Sequence, residues 1–278
     1  MKTPQSLEML VYNGLVDEVV CQLMSGKEAE VYVVHSKGEV CCAKVYKEAV
    51  NRSFSRQTQY REGRKGKNSR QARAMEKNSK YGRKEQEEAW QSAEVDALRR
   101  LAEAGVRVPH VFNYFAGVLL MELVVDANGD AAPRLNDLKL TAEQAREYHS
   151  TMITQIVLML CSGLVHGDLS EYNVLVGSDG LVIIDLPQAV DAAGNNNAGS
   201  MLQRDVENMA VYFGRFAPEL LATDYGKEIW KLYASGKLSP TTDLTGRFEQ
   251  SRNPADVKGV MQEIDSARRW HERQLSKT

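Results

Sequence analysis

Two carboxylates and one amide lie close together in the middle of the chain. Residues 164–176 read Leu-Val-His-Gly-Asp-Leu-Ser-Glu-Tyr-Asn-Val-Leu-Val, and after Gly177-Ser178-Asp179-Gly180 the chain continues Leu181-Val182-Ile183-Ile184-Asp185. Asp168 falls in a tight turn, Asn173 follows, and Asp185 ends an apolar run. This set suits phosphoryl transfer from a nucleoside triphosphate. One Asp orients the attacking hydroxyl, while the Asn and the second Asp hold Mg²⁺ on the phosphates. Magnesium takes hard oxygen ligands, usually one or two carboxylates with phosphate oxygens and water. Asn173 and Asp185 supply such oxygens, and Asp168 must stay off the metal to accept a hydroxyl proton. Taken singly, His166-Gly167-Asp168 is any turn and Asp185 any strand-end cap. The full spacing, with its apolar runs in place, favours the chemistry.

Elements must hold these groups together. Two short strands, near 173–176 and 181–184, predict a hairpin around Gly177–Gly180 that brings Asn173 to Asp185. Thr141-Ala142-Glu143-Gln144 forms a capping-box pattern and opens a helix to about Cys161. Tyr148, Met152, Ile156, Met159 and Leu160 give it an apolar face behind the catalytic turn; His149 reads as a packed or solvated helix residue. Met201–Phe216 reads as a helix whose Arg204 and Asp205 anchor that turn. Residues 218–235 and 254–275 read as two further amphipathic helices.

Upstream, residues 5–16 read as a short helix, then Val19–Leu23, Ala29–Val34 and Val40–Tyr46 as strands. The turn Met24-Ser25-Gly26-Lys27-Glu28 could lay backbone N–H groups over a triphosphate; alone it reads as a plain hairpin turn. Lys44 stands where a Val-Ala-Ile-Lys pattern puts a lysine that pairs phosphates and a helix glutamate. Between the glycine turn and the catalytic stretch that reading displaces a solvated strand lysine. Residues 85–104 are strongly helical and stop at Gly105. Glu94 is the candidate partner of Lys44, with Glu87 and Glu88 competing. Phe112–Phe115 and Val118–Val124 complete an antiparallel sheet. The segment after Met121 is then either a hinge whose backbone recognises adenine or a plain interdomain linker.

The net charge of −2 conceals an asymmetry. Residues 52–87 carry 12 Lys or Arg against 4 Asp or Glu, a net of +8, so the remainder is −10. Residues 51–84 lack the apolar groups to build a core and read as a long mobile basic insertion. Its charge fits a solvated loop, or a surface for RNA or an acidic protein face. Four cysteines without metal spacing favour a reducing compartment, and no apolar run approaches membrane-spanning length, so the expectation is a cytoplasmic protein without a membrane partner.

The chain resembles the RIO family of atypical serine/threonine kinases, nearest its Rio1 branch. The residues that carry the likeness are Ser25-Gly26-Lys27-Glu28-Ala29-Glu30-Val31-Tyr32, Ala43-Lys44-Val45-Tyr46-Lys47, Ala132-Pro133-Arg134-Leu135, His166-Gly167-Asp168-Leu169-Ser170-Glu171-Tyr172-Asn173 and Ile184-Asp185-Leu186-Pro187-Gln188. Leu-Pro-Gln after Asp185 is nearer the Rio2 form. With no room for a winged helix and no long tail, the likeness is to a bacterial-type member. It implies an α+β, two-lobed protein-kinase-like fold, with an N-terminal antiparallel sheet plus helix and a mostly helical C-terminal lobe bearing a short catalytic hairpin. The lobes would span 1–124 and 125–278.

The resemblance also implies roles. Ser25, Gly26 and Lys27 would touch phosphates, Val31 and Met121 would line the ATP site, and Lys44 would bind phosphates and pair with Glu94. The Glu122 and Val124 backbone would hold adenine. Asp168 would accept the proton, and Asn173 and Asp185 would ligate Mg²⁺, or Mn²⁺ in its place. Asp185 would in some members carry an aspartyl-phosphate, giving ATPase behaviour. The substrate would be a protein serine, including the chain's own, with Ser53 and Ser55 as candidates. The rival readings are an ATP-dependent RNA- or ribosome-binding switch and a small-molecule kinase of the aminoglycoside or choline type.

Overall fold

The computed structural model describes residues 4–26, 28–47 and 80–248, with residues 80–90 by backbone only. Lys27, most of the basic insertion with Ser53 and Ser55, and the expected helix at 254–275 lie outside the described residues. The chain divides into two compact units, Met1–Arg247 and Phe248–Thr278; every strand and helix named below belongs to the first.

Alternating apolar residues build five strands: β1 (Glu18–Ser25), β2 (Ala29–Ser36), β3 (Glu39–Tyr46), β4 (Val111–Phe115) and β5 (Val118–Glu122). They form one antiparallel sheet in the order β1-β2-β3-β5-β4. In β3, Cys41, Ala43 and Val45 point to one face and Cys42, Lys44 and Tyr46 to the other. All six are buried, because β3 is central and both faces are covered. Leu7 and Leu10 of helix α1 (Gln5–Tyr12), with Val16, form a small core with Tyr32, Val34, Cys41, Ala43, Val45, Val118 and Leu120. On the other side Tyr46 and Leu119 join the main core with Val95, Leu98 and Leu101 of helix α2 (Lys80–Glu103).

That core continues into helices α3 (Ala142–Cys161) and α4 (Ala198–Gly214). The expected capping box opens α3: Gln144 N donates to Thr141 Oγ1 at 3.2 Å and Thr141 N to Gln144 Oε1 at 2.9 Å. His149 of α3 is packed, with its ring 5.9 Å from Phe213 and 5.6 Å from Tyr225. Between these helices run β6 (Leu164–Val165), β7 (Val174–Gly177), β8 (Gly180–Ile183) and β9 (Val190–Asp191); β6 pairs β9 and β7 pairs β8. The architecture is the α+β, two-lobed kinase-like one, with a short hairpin in the helical part.

Several boundaries differ from expectation by a few residues, and three of them have a visible physical cause. Helix α1 stops at Tyr12, where Asn13 caps it and Gly14 turns left-handed at φ 66°. β5 stops at Glu122, because Val124 O accepts from Ala132 N and Val125 bridges Ala131, folding the segment on itself. The single helix expected over 218–235 is broken into a 3-10 turn, Pro218–Ala222, and helix α5, Tyr225–Ala234. The break falls at Thr223-Asp224, where the Asp224 N–H is drawn out to Gly246 O at 2.8 Å.

Candidate active site

The turn at His166–Leu169 is held by its backbone. Asp205, 1% exposed on α4, accepts Gly167 N at 2.7 Å on one carboxylate oxygen and Leu169 N at 3.0 Å on the other. Asn208 Nδ2 donates to Leu169 O at 2.9 Å, and Arg204 donates to Gly167 O. Gly167 has φ 83°, a conformation that suits glycine. The anchoring expected of Arg204 and Asp205 is thus present. Burial pushes the Asp205 carboxyl up to about 6, against the lowering influence of His166, the two N–H donors and Arg204.

His166 Nε2 lies 3.1 Å from Ile184 O, and its Nδ1 accepts Asp168 N at 3.3 Å. This network assigns the proton to Nε2. It ties the turn that carries Asp168 to the residue before Asp185. The Asp168 carboxylate accepts Gln188 Nε2 at 3.3 Å.

The hairpin does what its sequence predicts. Val174 pairs with Ile183, and Ile184 N donates to Asn173 O at 3.0 Å, so Asn173 and Asp185 emerge side by side. Asn173 Nδ2 donates to Asp168 O at 2.8 Å, which commits the amide nitrogen and fixes the direction of Oδ1. Asp185 takes the left-handed conformation, φ 66°, unusual for a residue with a side chain.

Lys44 Nζ stands between two carboxylates, 2.6 Å from Glu94 Oε1 and 2.9 Å from Asp185 Oδ1. Glu94 is 2% exposed, whereas the Asp185 side chain is 46% exposed and open to the cleft. Burial alone would lower the Lys44 pKa. Asp185 and Glu94 outweigh it and hold the ammonium above the ordinary lysine value. Partial desolvation pushes Asp185 up, but Lys44, aided by His166 and Arg134, holds the carboxyl below the usual range. Tyr46 adds a contact the sequence reading missed: its hydroxyl donates to Glu94 Oε2 at 2.6 Å, and Lys44 Nζ lies 5.5 Å from its ring centroid. The signal was the spacing, since residues two apart on a strand share a face.

Val31 lies between Met24 and Lys44 in the sheet register, and Cys42 between Val33 and Met121. These side chains therefore share the face that bears Lys44. Burial pushes the Cys42 thiol up to about 12. Ser25 and Gly26 are tied down by a residue that the sequence reading gave no role. Lys47 Nζ donates to Ser25 Oγ at 3.0 Å and to Gly26 O at 2.8 Å, and lies 3.4 Å from Glu30.

At the end of β5, Glu122 is locked by Arg107, with nitrogen–oxygen distances of 2.5 and 2.9 Å. That fork holds the Glu122 carboxyl below the usual range. The Glu122 N–H donates to His110 O at 2.8 Å, and the Val124 carbonyl accepts Ala132 N at 2.9 Å. Of the twelve sequence-predicted site residues, Lys44, Glu94 and Asp185 are in direct contact, as are Asn173 and the Asp168 backbone. Ser25, Val31 and Met121 belong to the sheet above them, Gly26 to the turn after β1, Glu122 to the end of β5 and Val124 to the loop beyond it, and Lys27 lies outside the described residues.

Comparison with known proteins bears on the family and the fold. A family model described as the RIO domain matches residues 30–226. The Rio1 RIO-type serine/threonine-protein kinase of Haloferax volcanii is 33% identical over 208 residues, covering 74% of this chain and 67% of that protein. The rio1 serine/threonine-protein kinase of Schizosaccharomyces pombe is 30% identical over 220 residues, covering 77% of this chain and 42% of that protein. This chain thus spans less than half of the yeast relative. Among solved structures, the Rio2 kinase–ADP/Mg²⁺–phosphoaspartate complex of Chaetomium thermophilum superposes with a TM-score of 0.55 at 19% identity, covering 83% of this chain and 70% of that one. With the domain match spanning most of its length and the β7–β8 hairpin lying inside it, the chain belongs to the RIO domain family.

Proposed function

We propose that the chain is an atypical RIO-type serine/threonine kinase that transfers the ATP γ-phosphate to a protein serine, its own included. The observation that carries this reading is the convergence of Asp185, Asn173 and Asp168 on one hairpin and turn, directly beneath the Lys44–Glu94 pair. Lys44, with its charge reinforced by two carboxylates, is poised to exchange Asp185 for phosphate oxygens while Glu94 keeps it in place. The hinge can offer a purine the Glu122 carbonyl and the Val124 N–H, since the other two groups are used within the fold. Val31 and Met121 line the base side, and Ser25, Gly26 and Lys27 form the turn over the phosphates. Asp168 is the group that accepts the serine hydroxyl proton, with its carboxylate steered by Gln188.

The donor chemistry fits Mg²⁺ or Mn²⁺. One carboxylate and one amide oxygen are too few for a protein-only site, but they are the usual complement where phosphates complete the shell. The ion would be held by Asn173 and Asp185 and would supply neutralisation of the triphosphate charge. Catalysis by the chain's own residues is then positioning and electrostatics.

The lobes would divide at 124/125, and the basic stretch 52–84 would meet an RNA, ribosomal or acidic protein partner. Among the described residues no helix is long and apolar enough to cross a membrane. The four cysteines are free, which suits a reducing cytoplasm. A second reading has a specific support: the Chaetomium relative is a phosphoaspartate complex. In that reading an Asp185 carboxylate oxygen attacks the γ-phosphorus, ADP leaves, and water later hydrolyses the acyl phosphate. A transfer assay with [γ-³²P]ATP, protein acceptors and Mg²⁺ tests both. Asp168→Ala abolishes label on serine while ATP binding persists; equal transfer by that variant would remove Asp168 from its role. Label that survives acid and hydroxylamine indicates serine phosphate, and hydroxylamine-sensitive label indicates acyl phosphate.

A further inference from the structure

The loop after β5 carries a cation that none of the roles above uses. Arg134 is half-buried, and its backbone bridges Leu175 of β7, two residues beyond Asn173. Its guanidinium reaches across the cleft to β1, where Nη2 lies 2.7 Å from the Met24 thioether sulfur. Met24 immediately precedes Ser25-Gly26 and faces Val31 in the sheet. The contact therefore joins the floor beside the catalytic hairpin to the roof beside the glycine turn.

The chemistry of that contact is mismatched. A guanidinium presents several N–H donors in a rigid fork suited to carboxylate and phosphate oxygens, whereas a thioether is a weak acceptor. Among the described residues the sulfur is the sole hydrogen-bond partner of the Arg134 side chain. A positive charge is thus held at the cleft mouth with its donors poorly used. Met24 is 39% exposed, so an incoming ligand can reach the contact. Whatever anion satisfies the fork thus lies between the glycine turn and the hairpin strand that follows Asn173.

We propose that Arg134 is a phosphate-binding residue of the nucleotide site, exchanging the Met24 sulfur for phosphate oxygens when nucleotide enters. This rests on the nucleotide-site reading above and adds to it a second cation, supplied from the loop after the sheet rather than from β3. The fork gives Arg134 a geometric role that a point charge would fill only in part.

Isothermal titration of the full-length wild type, Arg134→Ala and Arg134→Lys with ATP, ADP, AMP and adenosine tests the assignment, with melting temperatures recorded to confirm folding. A hydrogen-bonded charge at a partly exposed site predicts that Arg134→Ala weakens the phosphate-bearing ligand it touches by roughly tenfold. Adenosine affinity stays within about twofold of the wild type. Arg134→Lys recovers part of the loss, and the step in the ligand series at which the loss appears locates the phosphate. Unchanged ATP and ADP affinity in Arg134→Ala would overturn the proposal, as would an equal loss for adenosine, which marks a structural role. A raised KM for the protein substrate alone would overturn it too, assigning the guanidinium to an acidic acceptor instead. Failure of the wild type to bind any of the four ligands would remove the nucleotide site itself, a result distinct from these.

Discussion

Replacing Glu94 by Gln keeps the shape of the side chain and removes its charge. Glu94 is 2% exposed and touches two donors, Lys44 Nζ and the Tyr46 hydroxyl, each at 2.6 Å. The Gln carbonyl can still accept from Lys44, and its amide can donate to the Tyr46 oxygen, so both contacts survive as neutral-partner bonds. What is lost is the difference between a charge-assisted and an ordinary hydrogen bond, about 1–1.5 kcal/mol. Because Lys44 retains Asp185 at 2.9 Å, the larger cost of a wholly unpaired buried charge, about 3–5 kcal/mol, does not arise. The ammonium then leans on Asp185 and competes with metal and phosphate for it. Expressed as binding, the loss is roughly fivefold to tenfold in Mg·ATP affinity. Expressed as stability, it is a fall of about 2–6 °C in melting temperature. Titration calorimetry and thermal denaturation of wild type and Glu94→Gln read both quantities. An affinity within twofold of wild type, with an unchanged melting temperature, would refute the reasoning and leave the buried pair without a part in nucleotide binding.

Other outcomes follow from single contacts. Gln188→Ala removes the amide that meets Asp168 at 3.3 Å; that bond is long, so steady-state kinetics should show kcat down by about fivefold with the KM for ATP little changed. A rise in that KM with kcat intact would place Gln188 elsewhere in the cycle. His149, 3% exposed and with no partner for Nε2 among the described residues, is held below the ordinary histidine pKa by burial. The unfolded chain therefore binds the proton first. Stability is complete above the unfolded value near 6.5 and is lost as pH falls from there toward the depressed folded value, with a slope of at most about 1.4 kcal/mol per pH unit. His149→Leu should flatten that acid slope in pH-dependent thermal melts, and identical slopes in the two proteins would show that His149 does not set it.

The parts of the site that the sequence disclosed are those written in short-range spacing. Asn173 and Asp185 flank a hairpin whose two strands and turn are contiguous, so local pairing alone brings them together. Lys44 was marked by its place in a strand between the glycine turn and the His166–Asn173 stretch, and the sheet buries it between β2 and β5. The capping box at Thr141 was written in four residues and is formed as expected. What stayed hidden depends on partners far apart in the chain. Periodicity places Tyr46 on the face of Lys44 but does not say that Glu94, 48 residues on, is its acceptor. Nothing local points Arg134 at Met24, 110 residues earlier. Nor does any pattern within 218–235 foretell a break that arises because Asp224 bonds to Gly246. The sequence reading gave Lys47 no role, because its contacts lie in the preceding turn, whose backbone carbonyl it needs.

The proposed chemistry turns on the meeting of Asp168, Asn173 and Asp185 at a triphosphate. A crystal structure of the protein with Mg²⁺ and a non-hydrolysable ATP analogue tests this most directly. It should place the metal on Asn173 Oδ1 and an Asp185 carboxylate oxygen, with Lys44 moved from Asp185 to phosphate and Asp168 facing the γ-phosphate without touching the ion. Nucleotide seated away from the hairpin, or metal bound without Asp185 and Asn173, would contradict it.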